Sequence, residues 1–216
     1  MNEKKLFLLA TLAFVLGSIA AVAMFDQSQS EDKSGLASAN VKALSRTGAP
    51  TKGPKDAKVT IVEFFDPACA TCRQFHPLLE QMLIEYSGKV RVVMRYAPLH
   101  TGSDKVAKML EAAHLQGEFW PALKLLFANQ NRWVVNHVSD PMRAKALLDS
   151  MNLNSEQFES DWQGELVARA VNQDVQDGQT LNVSATPEFF VNGKSLPSFG
   201  YEQLRQLVKE AVAKAY

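Results

Sequence analysis

Hydrophobic positions along the chain change rhythm several times, and each change marks an element. Val59-Thr60-Ile61-Val62-Glu63-Phe64-Phe65 is β-branched and aromatic and apolar on both faces, as expected of a central strand covered on each side. From Cys69 the spacing becomes helical, with Phe75, Leu78, Leu79, Met82 and Leu83 on one stripe, Pro77 inside as a kink and Ser87-Gly88 as the stop. Val90, Val92, Val93 and Met94 predict the next strand over 89–96, parallel to the first because a helix intervenes. Helical spacing then recurs over 104–116, 119–129, 142–151, 156–162 and 165–177, with Gly117 and Gly178 as stops. Strand character returns at Thr186-Pro187-Glu188-Phe189-Phe190-Val191. Asn192-Gly193 signals a hairpin, with 194–196 as a short edge strand. A closing amphipathic helix over 202–213 turns Leu204, Leu207, Val208 and Val212 inward. The class is α/β: a β-α-β half and a β-hairpin-α half, separated by a helical insertion at about 102–178.

The first 57 residues follow other patterns. Lys4 and Lys5 precede an uncharged apolar run of 20 residues, Leu6 to Phe25, closed by Asp26. At about 1.5 Å per residue this run is long enough to cross a bilayer, yet Ala21-Val22-Ala23 fits the small-x-small pattern of a cleavage site. Residues 1–25 therefore read as a signal peptide or an N-terminal membrane anchor. In either case the lysines stay inside, and the remainder is periplasmic or otherwise extracytoplasmic, held at the inner membrane by residues 6–25 if uncleaved. Residues 26–57, rich in Ser, Ala, Gly, Lys and Asp with Pro50 and Pro54 near the end, read as a flexible tether. Leu36, Val41 and Leu44 hint at a short helix over 34–45. That leaves 58–216 as the folded domain. The formal net charge is zero and no basic run follows the leader, so nucleic acid is not an implied partner.

Two cysteines occur in the whole chain, in Cys69-Ala70-Thr71-Cys72 at the junction of the first strand and helix. A helix N-terminus favours a thiolate at Cys69 through its unpaired N–H groups and dipole, and Cys72 lies one turn on along nearly the same face. Three readings of the pair are open: metal ligands, a structural disulfide, and a redox-active dithiol. The strand–turn–helix setting favours the last. No metal is expected, because His76, His100, His114 and His137 are scattered and no fourth ligand stands at motif spacing. Glu63 is either turned to solvent or buried near the chemistry, and the strand pattern leans to solvent. His100 and His114 read as loop and helix-surface residues, and Phe119, Trp120, Trp133 and Trp162 as core of the insertion. Asp66 and Pro67 shape the turn into the Cys69 helix.

The order of strand, C-x-x-C helix with internal proline, strand, helical insertion, Thr-Pro strand, Asn-Gly hairpin and final helix resembles the DsbA-like thioredoxins, from about Gly53 to Ala215. Val62-Glu63-Phe64-Phe65-Asp66-Pro67 and Thr186-Pro187-x-Phe189-Phe190-Val191-Asn192-Gly193 carry the match. The resemblance implies a thioredoxin fold with a helical insertion and thiol:disulfide oxidoreductase activity with no cofactor beyond the Cys69–Cys72 disulfide. It makes Cys69 the exposed attacking cysteine, Cys72 the buried resolving one, Pro187 the cis-proline facing the pair, and Thr186 a backbone partner for an extended substrate. It also turns Glu63 into a buried acid relaying a proton to Cys72. Substrates would be exported proteins bearing thiols or disulfides, with a membrane redox partner. Ala70-Thr71 departs from the Pro-His of the strong oxidants, which weakens thiolate stabilisation. Disulfide formation is the leading direction. The alternatives are reduction or isomerisation on the same fold, a copper(I)-handling binding protein using both thiolates, and a chaperone-like module.

Overall fold

The computed structural model describes residues 40–216, and the chain divides into residues 1–42 and a body of residues 43–216. The leader over 1–25 and residues 34–39 of the short helix expected over 34–45 lie outside the described residues, while 40–44 are helical. In chain order the body contains β1 (Thr51–Lys52), β2 (Val59–Phe65), α1 (Ala70–Glu85), β3 (Val90–Tyr96), α2 (Ser103–Leu115), α3 (Phe119–Ala128) and α4 (Gln130–Trp133). There follow β4 (Val134–Val135), β5 (Val138–Ser139), α5 (Pro141–Leu148), α6 (Ser155–Gln163), α7 (Glu165–Thr180), β6 (Glu188–Val191), β7 (Lys194–Ser195) and α8 (Tyr201–Ala215). Among the described residues no helix is long and apolar enough to cross a membrane.

The main sheet runs in the order β1-β3-β2-β6-β7. β2 and β3 are parallel, as the intervening helix requires, with Glu63 opposite Met94 and Phe65 opposite Tyr96. β6 lies antiparallel on the other side of β2, placing Phe189 opposite Glu63. Because side chains alternate across a strand, the register sorts the core into two layers. Val59, Ile61, Phe65, Met94, Phe189 and Val191 share one face with Phe75, Leu79 and Met82 of α1 and Leu204 and Val208 of α8, continuous with the interior of the insertion. Val62, Phe64, Ala97 and Phe190 form a smaller cluster on the opposite face, against Leu44, Leu181 and Val183. Glu63, at an odd position of β2, therefore falls on the α1 face.

Several elements depart from the pattern reading. Residues 43–57, the last part of the expected tether, are packed rather than flexible. β1 pairs with β3, Ala43 and Ala49 are buried, and Arg46 reaches Glu111 at 3.0 Å and Asp174 at 2.7 Å. Composition misled here because the segment is held by backbone pairing and buried ion pairs, which leave no apolar periodicity. Gly53 has φ +108°, and a Cβ there would lie 2.6 Å from the Val90 carbonyl oxygen, so only glycine lets β1 close onto β3. Gly178 does not stop α7, which continues to Thr180. Its missing side chain lets the helix approach the Phe64 ring, which a Cβ would meet at 3.4 Å. Pro77 sits within an unbroken α1, on its exposed side, one turn after the exposed Arg73 whose carbonyl it deprives of a donor.

Candidate active site

β2 ends at Phe65, and the four residues Asp66 to Cys69 turn the chain into α1. The Asp66 side chain organises this turn. It is fully buried and accepts from Ala68 N–H at 2.8 Å, Leu99 N–H at 2.6 Å, His100 N–H at 2.7 Å and the Ser103 hydroxyl at 3.0 Å, with His100 Nδ1 at 2.8 Å. One carboxylate thus ties the turn to the loop that leads into the insertion. His100, read from sequence as an ordinary loop residue, is half-buried against this carboxylate and stacks on His137 with ring centroids 5.8 Å apart.

Cys69 is the N-cap of α1, with extended backbone (φ −72°, ψ 121°), and its sulfur accepts from Cys72 N–H at 3.4 Å. Both cysteines are free thiols. Cys69 keeps 6% of its surface exposed and Cys72 none, so the difference in access runs in the expected direction, but Cys69 shows solvent only a sliver. The peptide bond between Thr186 and Pro187 is cis, and the Thr186 carbonyl oxygen lies 3.2 Å from Cys69 Sγ. The loop before β6 therefore stands against the sulfur, with Pro187 buried and Thr186 partly exposed. Ala70 is exposed and Thr71 half-exposed at the mouth.

The two thiols are driven apart in acidity. Cys69 is lowered to about 5, chiefly by the hydrogen bond offered by the Cys72 thiol, then by the Thr186 side chain and the N–H groups of Cys72 and Thr71, against the opposing effect of burial. As a thiol Cys69 donates to the Thr186 carbonyl. That contact favours the protonated form, and the donors around the sulfur outweigh it. Cys72 is raised well above its ordinary value by burial first, then by donating to Cys69 and by the nearby Glu63 carboxyl. With the folded value lowered, the Cys69 thiolate stabilises the reduced fold fully above the unfolded-chain value of about 8.5. This stabilisation is lost as pH falls through about 5.

Glu63 is 1% exposed, which overturns the strand-pattern lean toward solvent. Its face is set by the parity of the β2–β3 register, which a single strand does not display. Burial, then the charge of Cys69, raises its carboxyl well above the usual range, and Oε2 has no hydrogen-bond partner. The folded protein thus holds a proton that the unfolded chain releases above about pH 4.3, so this residue costs stability increasingly as pH rises. Glu63→Gln has no proton to lose. The melting temperature of the variant relative to the parent is expected to climb between pH 4 and pH 7, and a difference flat with pH would show that Glu63 ionises normally.

Other side chains near the site leave no mark in the sequence. Gln130, at the start of α4, donates through Nε2 to the carbonyls of Pro67 at 2.9 Å and Cys69 at 3.1 Å. Phe75, on α1, packs on Phe189 at 5.3 Å and stacks on Tyr201 at 4.2 Å, with Phe199 at 5.0 Å. Phe199 and Tyr201 are 57% and 43% exposed, an aromatic pair on the surface beside Phe75 of α1. Phe119 and Trp133 are buried in the insertion, whereas Trp120 and Trp162 are only partly covered. His114 stays on the helix surface, where Nε2 meets the Gly48 carbonyl at 3.0 Å.

A strand–turn–helix that presents two unlike thiols to a cis-proline loop, on a mixed sheet interrupted by a helical block, defines a thioredoxin-fold dithiol protein. The family model described as thioredoxin matches residues 45–210. The chain belongs to the thioredoxin family. Among solved structures it is similar to a thioredoxin-like oxidoreductase from Silicibacter pomeroyi, at 29% identity and a TM-score of 0.67 over 81% of this chain and 98% of that one. It is likewise similar to oxidised BdbD from Bacillus subtilis, at 25% identity and a TM-score of 0.66 over 77% and 94%. Among curated relatives it is 34% identical over 171 residues to Na(+)/H(+) antiporter NhaA 3 of Salinispora tropica. That alignment takes in 76% of this chain but spans only a quarter (25%) of the antiporter's length.

Proposed function

We propose that this protein is an exported thiol:disulfide oxidoreductase that introduces disulfides into other exported proteins through Cys69 and Cys72. The observation that carries the reading is the asymmetry of the pair. One sulfur caps a helix and is held as a thiolate near neutral pH, with its pKa at about 5, and its neighbour is sealed and protonated. In the oxidised protein a substrate thiolate attacks Cys69 Sγ, forming a mixed disulfide as the Cys69–Cys72 bond breaks. Cys72 leaves with the electron pair and takes a proton, for which the buried, protonated Glu63 carboxyl is the donor at hand. The substrate's second thiolate then attacks its own sulfur in the mixed disulfide, and Cys69 departs as thiolate. The substrate has lost two electrons and the Cys69–Cys72 pair has gained them. An oxidising partner at the membrane must accept them to restore the disulfide.

Thr186 and Pro187 would seat the substrate's extended segment, with backbone groups of the loop pairing beside the sulfur. A low Cys69 pKa supports the oxidase direction, because it makes Cys69 the better leaving group and stabilises the reduced product. The donors that Cys72, Thr186 and the helix N-terminus supply take the place of the histidine that Ala70-Thr71 lacks. Export rests on the leader-like residues 1–25. The deciding measurement is the equilibrium of the pair with glutathione at pH 7. A reduction potential between about −120 and −180 mV is expected, and one near about −270 mV would make the protein a reductase.

A further inference from the structure

We propose that Gln130 is a positioning residue for the dithiol, holding the Cys69 turn in its helix-capping conformation by donating its two amide hydrogens to the carbonyls of Pro67 and Cys69. The inference rests on the dithiol reading above and adds a residue from the insertion, 61 positions away in sequence, to the reacting centre. Gln130 is 4% exposed, so no solvent competes for these contacts, and a primary amide nitrogen carries two hydrogens for two acceptors. The turn from 66 to 69 presents both donors and acceptors inward. Asp66 takes the N–H of Ala68 on its side chain and that of Cys69 on its backbone carbonyl. Gln130 supplies the matching donors to the two carbonyls that Asp66 cannot serve. The insertion thus grips the turn at two points, through the 99–103 loop bound to Asp66 and through α4.

Orientation of the Cys69 carbonyl is orientation of the sulfur's surroundings. That carbonyl also accepts the first α1 bond, from Arg73 N–H at 3.2 Å, and its direction fixes ψ of Cys69 at 121°. Rotating the peptide group after Cys69 swings the first N–H groups of α1 relative to Sγ, which sits 3.4 Å from Cys72 N–H. Without the clamp those donors lose their aim, and the thiolate loses part of its stabilisation.

The test uses full-length protein carrying Gln130→Leu, of similar size but no donors, and Gln130→Glu, of the same shape with at most one hydrogen to give. Thiolate absorbance against pH and the glutathione equilibrium are read for each. In Gln130→Leu the Cys69 midpoint is expected to rise by about one pH unit, and the equilibrium to move about tenfold toward the oxidised protein. A folded Gln130→Leu with the parent's midpoint and equilibrium overturns the proposal. Gln130→Glu decides the case if Gln130→Leu fails to fold. Its carboxyl donates only while protonated, so Cys69 alkylation against pH should show an inflection beyond those of the parent, in which Glu63 already couples to Cys69. A curve that superimposes on the parent's overturns the clamp. If the parent itself exchanges no disulfides with glutathione or a thiol substrate, the dithiol reading fails instead, whatever the variants' titrations show.

Discussion

Cys69→Ala is expected to abolish thiol–disulfide exchange, and Cys72→Ala to accumulate stable mixed disulfides on Cys69. The two variants separate because the sulfurs occupy different positions. Cys69 meets solvent and the Thr186 carbonyl, whereas Cys72 is wholly enclosed, with Cys69, Glu63 and the Asp66 backbone as its polar neighbours. A substrate sulfur can therefore join Cys69 but not Cys72, and without Cys72 nothing inside the protein releases the adduct. Loss of the nucleophile should lower turnover by at least about a thousandfold, the size of effect expected when a covalent catalyst loses its reacting atom. Non-reducing gels and intact mass after incubation with a reduced substrate protein distinguish the outcomes. Equal behaviour of the two variants would remove the assigned division of labour.

Asp174→Ala is expected to cost a large share of the domain's stability, comparable to truncating a fully buried aromatic. Asp174 is fully buried on α7, with Oδ1 2.6 Å from Arg95 Nε and 2.7 Å from Arg46 Nε, and Oδ2 accepting from Tyr96 N–H at 3.0 Å. Arg95 is itself sealed, lying over the Phe64 ring and donating to Asp177 and to the Ala43 carbonyl, while Glu111 links Arg46 to the Tyr96 hydroxyl. Burial pushes the Asp174 carboxyl up even against two guanidinium groups, so the cluster forms at a desolvation cost. Removing the carboxylate leaves each buried guanidinium with one acidic partner instead of two, Asp177 for Arg95 and Glu111 for Arg46, and orphans the Tyr96 N–H in the interior, an effect of about 3–5 kcal/mol. At about 2–4 °C per kcal/mol for a domain of this size, the melting temperature should fall on the order of 10 °C. Arg169→Ala, which breaks the exposed pair with Glu165, should change it by less than about 1 kcal/mol and serves as control. A comparable loss in both would mean that the cluster's burial is not what matters.

That cluster also explains why composition places the end of the tether too late in the chain. Arg46 and Ala43 belong to the folded body because Asp174, Glu111 and Arg95 meet them from three distant parts of the chain. Gln130 is the same kind of case. Nothing in Asn129-Gln130-Asn131 distinguishes it from any polar helix start, and its role exists only because α4 is folded against the Pro67–Cys69 turn. Short elements held by pairing rather than by apolar rhythm, such as β1 and the β4–β5 hairpin, were invisible for a related reason: two residues carry no period. Gly178 read as a stop because glycine commonly ends helices, yet here its lack of a side chain is used for close approach to Phe64.

Legible in the chain alone are the order and type of the long elements, the parallel β-α-β unit, the hairpin at Asn192-Gly193 and the placing of both cysteines at a helix start. These follow from local periodicity and turn chemistry, which act over a few residues. Contacts across the fold set the rest: they put Glu63 on the α1 face, as the family resemblance but not the strand pattern implies, bring Asp66 and Gln130 onto the Cys69 turn, and pack residues 43–57. Each of those depends on strand register or on contacts between segments tens of residues apart, and one-dimensional pattern carries no information on which polar group will meet which.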